Sequence, residues 1–496
     1  MTLLELCELI GAECPKHLEN KEIKGVTSSS KRVKDSYVFV CISGLSSDGH
    51  SYIDEALAKG ASAVVIEKSE YARRDTVLCQ DSRRALSLML DAFCGYPSKK
   101  MKFIGVTGTN GKTSVSVMIK SILDGAQIPA SLIGTVRCSS PSGDIEKHPD
   151  DPLANMTTPD PEELYPMLAS MEREGVRYVV MEATSHALAL QKLAPIEFEV
   201  GIFTNLTQDH LDFHSSMEEY FTAKRKLLEK SKLAVVNIDD AYGKRLLEMQ
   251  ICPTVTCTTM GENADFSASP DRSITEEGIR YTLTGLGSSF EVRCGVTGIF
   301  SIVNSLQAAA CAFLLGIENK IIRESLENLG SISGRLERVR FSENVDFSLF
   351  IDYAHTPDAL ENLIKSARSF KGDKGRVVLL FGCGGNRDRG KRAKMGRIAT
   401  TLADLVIITS DNSRGEDPRL IIKDILEGVD KVARPVVISD RRRAIEYAVA
   451  NARSGDVILL AGKGHEKYEI NAHGRSDFDE SRIARDAVNK YYSKKR

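Results

Sequence analysis

The stretch GVTGTNGKTS, residues 105–114, decides how the chain is read. A phosphate-binding P-loop takes a glycine, four residues of any kind, then Gly-Lys-Ser/Thr. Backbone N–H groups at a strand-to-helix turn cradle phosphate oxygens there, and the lysine adds a positive charge. Gly111, Lys112 and Thr113 fill the closing positions, but Val106 stands where the opening glycine belongs, with Gly105 and Gly108 on either side. The β-branched KFIGVT precedes the turn and the apolar-periodic SVSVMIKSIL follows it, a strand and then a helix opening at Lys112. An incidental glycine turn would not gather Asn110, Gly111, Lys112 and Thr113 at that junction. The loop is therefore read as a phosphate site, with the Thr113 hydroxyl placed for magnesium. Guanine recognition would need Asn-Lys-x-Asp, and the Asn-Lys pairs at 20, 319 and 489 have no Asp two residues on, so adenine is expected.

Outward from the loop, short strands alternate with helical stretches. RYVVMEATSH (177–186), EVGIFTNLTQDH (199–210) and LAVVNIDD (233–240) follow it; YVFVCI (37–42), ASAVVIEK (61–68) and TVLCQD (76–81) precede it, with YIDEALAKG read as a helix ended by Gly60. LFIDYAH, GRVVLLFGCGGNRDRG, DLVIITSDNSRGEDP, PVVISD and DVILLAGKGHE repeat the scheme near the C-terminus. The class is α/β with mostly parallel sheets, whose ligands bind beyond the carboxyl ends of the strands. A chain of 496 residues exceeds one core and suggests three domains. Breaks at CGYPSKK (94–100) and GSISGRLERV (330–339) divide it into 1–99, a small α/β domain, 100–333, a P-loop-type sheet, and 334–496, a second doubly wound sheet.

The 66 basic and 68 acidic side chains leave a net charge of -2, so no global field draws nucleic acid. The run RRR (441–443) and the tail SKKR (493–496) are read as a solvated face and a frayed end. Apolar runs fall short of a membrane span. The opening MTLLELCELIGAEC carries Glu5 and Glu8 and no basic residue, so no secretory signal and a cytoplasmic location are expected. Eleven cysteines without a CxxC pair are read as reduced, mostly core thiols.

Polar clusters fall at strand ends. Glu182 and the pair Asp209–His210 offer a carboxylate and an imidazole beside the nucleotide loop, plausible metal ligands or merely a capping acid and a hydrogen-bonded histidine. YFTAKRKLLEK (220–230) is a Lys-rich amphipathic helix. In FGCGGNRDRGKR (381–392), Arg387, Arg389, Lys391 and Arg392 can neutralise an anion. DNSRGEDP (411–418) mixes Asp411 and Asn412 with Arg414, which suits a zwitterion, while Asp417 and Pro418 read as the cap and first residue of a helix.

Taken in order, TGTNGKT (107–113), TTPDP (157–161), EATSH (182–186), TNLTQDHLDFH (204–214), GRLERV (334–339), DYAHTPDAL (352–360), FGCGGNRDRGKR and GKGHE (462–466) resemble the Mur ligase family over essentially the whole chain. That family's loop reads TGTNGK without the outer glycine, which accounts for Val106. The resemblance implies an N-terminal domain holding UDP, a central ATPase and a C-terminal Rossmann-like domain bringing an amino acid. It implies ATP and magnesium as cofactors, and as partners a UDP-N-acetylmuramoyl-dipeptide and a diamino acid, with no nucleic acid or membrane, in a monomer. The reaction implied phosphorylates the peptide carboxylate, and an amine then displaces phosphate from the acyl phosphate. Within the family the motifs are similar to those of members adding the third residue of the peptidoglycan stem.

Residue by residue, the resemblance implies phosphate contacts from Gly108, Thr109, Asn110, Gly111 and Lys112, and magnesium contacts from Thr113, Glu182, His210 and Lys224. Lys224 would act as a carbamate, an anion able to bridge magnesium where an ammonium would repel it. Asn304 and His355 match contacts to base and sugar, and Arg335 a phosphate contact. Thr157, Thr158, Ser185 and Lys192 match contacts to the muramoyl-dipeptide, and Ser30 a contact to UDP. DNSR is similar to the DNPR motif of enzymes using meso-diaminopimelate, where Arg414 would pair with the distal carboxylate, helped by Asp411, Asn412, Arg387, Gly462 and Glu466. Departures from the family pattern are Ser413 for Pro, Asn386 for Asp, Lys192 for Arg, and Ser29 and Lys31 for the Asp and Arg of DSRxVxxGxxF. Lysine as the added amino acid, a folylpolyglutamate synthetase-like ligase and an idle nucleotide-binding scaffold are the alternatives.

Overall fold

The computed structural model describes residues 1–44, 47–145, 156–261, 263–372, 375–430 and 432–492. The tail SKKR lies outside them. The chain forms two compact units: Met1–Thr107 with Ile128–Ile202 and Thr222–Ala234, and Gly108–Gln127 with Phe203–Phe221 and Val235–Arg496.

In the first unit, strands Gly25–Thr27, Tyr37–Val40, Ala61–Ile66 and Thr76–Leu78 lie in that order, all parallel. Gly25–Thr27 is not signalled in the sequence, since three residues carry no readable period. Helix Ile53–Ala58 ends before Gly60, whose φ of +95° lets the chain turn back into the next strand. Phe39, Cys41, Val64 and Ile66 pack with Ile53 and Ala56 into a core.

The same unit holds Lys102–Thr107 and Ala130–Ile133 parallel on either side of Tyr178–Glu182, in register Val106 to Glu182. A Cβ at Gly105 would lie 2.6 Å from Leu227 and 2.8 Å from Phe198, so this glycine is a packing residue under helix Met217–Glu229, not part of a phosphate cradle. Helix Pro161–Arg173 opens with Glu162. Its carboxylate accepts from Thr27 Oγ1 at 2.9 Å, Ser28 N at 2.8 Å and Ser28 Oγ at 2.7 Å, which ties the TTPDP end of that helix to the turn leading to Ser30.

In the second unit, Thr254–Thr258 runs parallel to Phe266–Thr275, and Gly278–Gly285 and Ser288–Cys294 continue as an antiparallel meander. Its signal was the alternation of buried Ile279, Tyr281 and Leu283 with the solvent-facing Arg280 and the partly covered Thr282, the pattern of a half-buried antiparallel strand. The C-terminal sheet orders its strands Glu337–Arg338, Ser348–Asp352, Val457–Ala461, Val377–Phe381, Leu405–Ile408 and Val436–Val437, parallel except for the first. Val377, Leu379 and Phe381 face helices Pro357–Phe370, Gly390–Leu402 and Pro418–Leu426; Val378 and Leu380 face Arg441–Ala450 and Glu480–Tyr492. Period-2 strands buried on both faces give the expected doubly wound layer.

Arg441 corrects the reading of the RRR run as a solvated face: its side chain is enclosed and pairs with Glu480 at 2.8 Å. Helix periodicity turns the first arginine of Arg441–Ala450 inward while Arg443 stays out. No helix among the described residues is long and apolar enough to cross a membrane.

Glu162→Ala strands the Thr27 and Ser28 donors, so a loss of ~1–3 kcal/mol in urea unfolding is expected, with Glu162→Gln losing less. An Ala variant that unfolds at the parental urea concentration would show that the turn is held by other contacts.

Candidate active site

The phosphate loop is built from two segments of the second unit. Gly108, at φ +149°, has no room for a Cβ against Thr204 Oγ1, and a Cβ at Gly111, at φ +87°, would lie 2.6 Å from Asn304 Oδ1. Thr109 N donates to Asn205 O and Asn110 N to Asn205 Oδ1, both at 2.9 Å, and Thr204 Oγ1 donates to Asn110 O at 2.6 Å. Thr109 Oγ1 donates to Thr207 O at 3.1 Å. Lys112 Nζ folds back onto Gly108 O and Thr109 O at 2.9 Å each. Arg335 Nη2 donates to Thr113 Oγ1 at 2.8 Å, and Asn110 Nδ2 donates to Asp358 Oδ2 at 2.8 Å. Loop amides, the N-terminus of helix Lys112–Gly125, Lys112 and Arg335 thus share one end of the unit, the composition an anion site needs. Sequence reading missed Thr204, Asn205 and Asp358 as the residues that shape the loop. Their only signal was their place at strand and helix ends.

The first unit brings together Glu182, Thr157, Thr158 and Thr184. Glu182 accepts from Thr135 N at 2.8 Å and Thr135 Oγ1 at 2.9 Å, and Gly134 is glycine because a Cβ there would collide with Glu182 Oε1. Thr135 Oγ1 meets Thr157 Oγ1 at 2.9 Å. Thr158 Oγ1 donates to Glu182 O at 2.7 Å and accepts from Thr184 N at 3.2 Å, so TTPDP and EATSH are stitched side by side. Ser185 is buried at the start of helix Ser185–Ala189. Lys192 Nζ lies 2.5 Å from Asp160 Oδ1 and 3.2 Å from Met156 Sδ. Ser30 lies on the turn next to Lys59, whose Nζ donates to Ser30 O at 3.0 Å. Lys224, 1% exposed, sits on helix Met217–Glu229. Of the expected magnesium ligands, Glu182 and Lys224 belong to this unit, Thr113 and His210 to the other. No group of three or more His, Cys, Asp or Glu able to hold a metal occurs among the described residues.

A cavity of about 200 Å³ opens in the second unit where the C-terminal strands end. Arg387, Lys391, Asp411, Asn412, Arg414, Gly462 and Glu466 line it, with Asp209, His210 and His355. Of the four cations in NRDRGKR, only Arg387 and Lys391 reach it. Arg389 is drawn to Glu416 at 3.1 Å, and Arg392, with no exposed side chain, is locked by Glu416 at 3.0 Å and Asp424 at 2.8 Å. The Arg392 hydrogen bond in turn holds the Glu416 carboxyl down at about 2.

Two charges lining the cavity, Arg414 and Glu466, form no ion pair within 4.0 Å among the described residues. Enclosure, then the like charge of Arg387, pulls Arg414 below its ordinary value; enclosure, then the charge of Asp411, pushes Glu466 up. Arg414 Nη1 donates only to carbonyls, Gly385 O at 3.1 Å and Asn412 O at 3.2 Å, and Asn412 Nδ2 donates to Glu466 Oε2 at 2.7 Å. A carboxylate between Arg387 and Arg414 and an ammonium near Asp411 and Glu466 would relieve both, so the cavity suits a zwitterion. Asp209 is enclosed, which pushes it up, but His210 at 3.4 Å, His355 at 3.9 Å and Lys391 at 4.0 Å outweigh that and hold it ionised. Enclosure and then Lys391 pull His355 down to about 4, so it is neutral at pH 7. Its Nδ1 donates to Tyr353 O at 2.8 Å, which leaves Nε2 as an acceptor for a ligand hydroxyl.

A phosphate-type loop and, in the same unit, a cavity lined by both cations and carboxylates are features of an ATP-dependent carboxylate–amine ligase. Residues 22–93 match the Mur ligase family, catalytic domain, residues 106–312 the Mur ligase middle domain, and residues 334–464 the Mur ligase, glutamate ligase domain. The UDP-N-acetylmuramoyl-L-alanyl-D-glutamate--2,6-diaminopimelate ligase of Clostridium botulinum is 40% identical over 94% of this chain and 95% of its own. A solved structure of a ligase with that name is 29% identical, with a TM-score of 0.70 and 99% of each chain covered. A Mycobacterium tuberculosis folylpolyglutamate synthase, 18% identical with a TM-score of 0.62, shares the fold over 76% of this chain and 92% of its own. The chain belongs to the Mur ligase family, the ATP-dependent ligases of peptidoglycan synthesis.

Gly111→Ala forces a side chain into the left-handed region and against Asn304. ADP binding weakened roughly tenfold or more, read by calorimetric titration with an unchanged circular-dichroism spectrum, is the expected outcome.

Proposed function

We propose that the protein joins meso-diaminopimelate to UDP-N-acetylmuramoyl-L-alanyl-D-glutamate, with ATP cleaved to ADP and phosphate. The observation that carries the choice of amino acid is Arg414, half-buried with its Nη1 on carbonyl oxygens, lining one cavity with Arg387 and the acids Asp411 and Glu466. Diaminopimelate carries a second carboxylate to place on these arginines; lysine does not, and would leave Arg414 without an anion. A folylpolyglutamate synthase-like role is disfavoured by residues 22–93, which match a family domain in addition to the two that make up the ATPase and glutamate-ligase regions.

On this reading residues 1–99 hold the UDP, with Ser30 among the contacts, 100–333 hold ATP and the acceptor, and 334–496 hold the amino acid. The Gly111 amide, the N-terminus of helix Lys112–Gly125 and the Lys112 ammonium grip the phosphates, with Arg335 beside them, while the Thr109 and Asn110 amides hold the loop in shape through Asn205. Asn304 and His355 meet the base and sugar, and the neutral His355 Nε2 accepts from a ribose hydroxyl. Thr157, Thr158, Ser185 and Lys192 hold the muramoyl-dipeptide. The peptide carboxylate attacks the γ-phosphorus, the bond to the β-phosphate oxygen breaks, and an acyl phosphate and ADP result. The neutral amine then attacks the acyl carbon; the tetrahedral intermediate expels phosphate and the ammonium proton passes to solvent. Asp411 and Glu466 orient the amino acid through its charged groups so that one amine faces the acyl carbon.

The reading includes magnesium: the Thr113 hydroxyl stands in the phosphate loop of the second unit, and Glu182, His210 and a carbamate on Lys224 are the further contacts the family pattern implies. Bound there, the ion would neutralise phosphate charge. The buried position of Lys224 fits a group whose carbamate is kept from hydrolysis by exclusion of water. Soluble nucleotide substrates fit a cytoplasmic site.

With ATP, magnesium and the UDP-dipeptide supplied, diaminopimelate should support ADP release and peptide extension far better than lysine, and Lys112→Ala should abolish both. Arg414→Ala should raise KM for diaminopimelate by roughly 10–100-fold, the loss of a charge-assisted hydrogen-bond pair, while leaving lysine use unchanged. A parent that prefers lysine would overturn the assignment of the amino acid.

A further inference from the structure

Arg441 lies outside the cavity yet touches what frames it. Nε donates to Glu480 Oε1 at 2.8 Å, Nη1 to Ser410 O at 3.1 Å and Nη2 to Ala461 O at 2.8 Å. Ser410 follows strand Leu405–Ile408 and Ala461 ends strand Val457–Ala461, and in the sheet Val377–Phe381 separates the two. One guanidinium therefore bridges the carboxyl ends of two strands that share no ladder.

The residue after each carbonyl lines the cavity: Asp411 after Ser410, Gly462 after Ala461. Asp411 Oδ2 lies 4.0 Å from Arg441 Nη1 and packs so closely on Gly462 that a Cβ at 462 would collide with it. The carboxylate thus depends on a gap whose two sides hang from the same arginine. Glu480 supplies the countercharge, but its Oε2 has no hydrogen-bond partner among the described residues. A buried ion pair built for stability alone would satisfy that oxygen.

We infer that Arg441 is a positioning residue for the incoming amino acid: by holding the Ser410 and Ala461 carbonyls it fixes the Asp411–Gly462 gap, and with it the anion that meets the substrate ammonium. Arg441 itself touches no substrate. Three fixed donors in one plane are required, a geometry lysine lacks. This rests on the reading of the cavity as the amino-acid site.

The test is steady-state kinetics of the full chain, varying diaminopimelate, ATP and UDP-dipeptide in turn. Arg441→Lys retains the charge beside Glu480 without the fork. The double variant Arg441→Met/Glu480→Met removes the buried pair for apolar side chains of similar length, an exchange that usually spares stability. In both, KM for diaminopimelate is expected to rise ~10-fold while KM for ATP and for the UDP-dipeptide stays within ~2-fold. A folded variant with parental KM for diaminopimelate, or with all three constants raised alike, overturns the inference. So does failure of both variants to fold, which would make Arg441 a staple of the fold. A parent inactive with every amine removes the functional reading itself, and the inference with it; an active parent with unaffected variants removes the inference alone.

Discussion

The hydrogen bond from Thr204 Oγ1 to the Asn110 carbonyl, 2.6 Å long, is the contact on which the nucleotide end of the second unit depends. It forms only because Gly108 has no side chain to occupy the same space. With the backbone that close, Asn205 takes the amides of both Thr109 and Asn110, which holds the loop in one conformation. Asn304 fills the space over Gly111, Arg335 reaches Thr113, and Asp358 takes the Asn110 amide. Each of these contacts presumes the position of the one before it, so a cradle for phosphate is prepared before any nucleotide arrives, and little ordering cost remains for binding.

Charge separates framework from function in the C-terminal sheet. Arg392 is wholly enclosed, and its terminal nitrogens are held by Glu416 and Asp424. Arg414 is enclosed too, but its side chain meets carbonyls and a neighbouring cation. Enclosure without an anion raises the energy of the empty site, and a ligand carboxylate recovers it. The same logic, with signs reversed, applies to Glu466 beside Asp411. Both mismatches lie in one cavity, where a molecule carrying an anionic and a cationic group can relieve the two together and a singly charged one only half.

The layer order of the C-terminal sheet and the strand-to-helix junction at Lys112 were legible because runs such as VVLLF are buried on both faces and tolerate little but β-branched and aliphatic residues. Glu182, His210 and Arg414 stood out as polar residues at or after the ends of such runs: Glu182 ends Tyr178–Glu182, and His210 and Arg414 fall in the polar segments that follow Phe198–Phe203 and Leu405–Ile408. What could not be read was set by distance across the chain. Helix periodicity puts Arg441 on the buried face with Ala444, Ile445 and Ala448 and Arg443 off it, but the carboxylates that hold Arg441 and Arg392 inside, Glu480 and Glu416, lie elsewhere in the chain. Thr135, which holds Glu182 by two hydrogen bonds, lies in IGTVRC, with no neighbouring polar residue to mark it. Gly105, a glycine beside the loop, owes its place to the helix packed over its strand.

Ser413 in place of the family's proline shows how one constraint can stand in for another. A proline would fix its own φ and restrict Asn412 before it, reducing the states available to the loop that carries Arg414. Here the loop is held by bonds instead. Gly385 N donates to the Asn412 carbonyl at 2.9 Å, Asn412 Oδ1 accepts from Ile470 N and Lys463 Nζ at 2.9 Å each, and Arg414 N donates to Ile470 O at 3.0 Å. Gly385 in turn must be glycine, since a Cβ would strike the Ser413 carbonyl. Ile470 belongs to the hairpin Tyr468–Asn471 with Gly474–Asp477, so the left-handed turn at Arg414, φ +51°, is imposed from outside the loop. Rigidity that a ring would have built into the chain has moved into a neighbouring hairpin, and the placement of the Arg414 guanidinium is tied to how well that hairpin is folded.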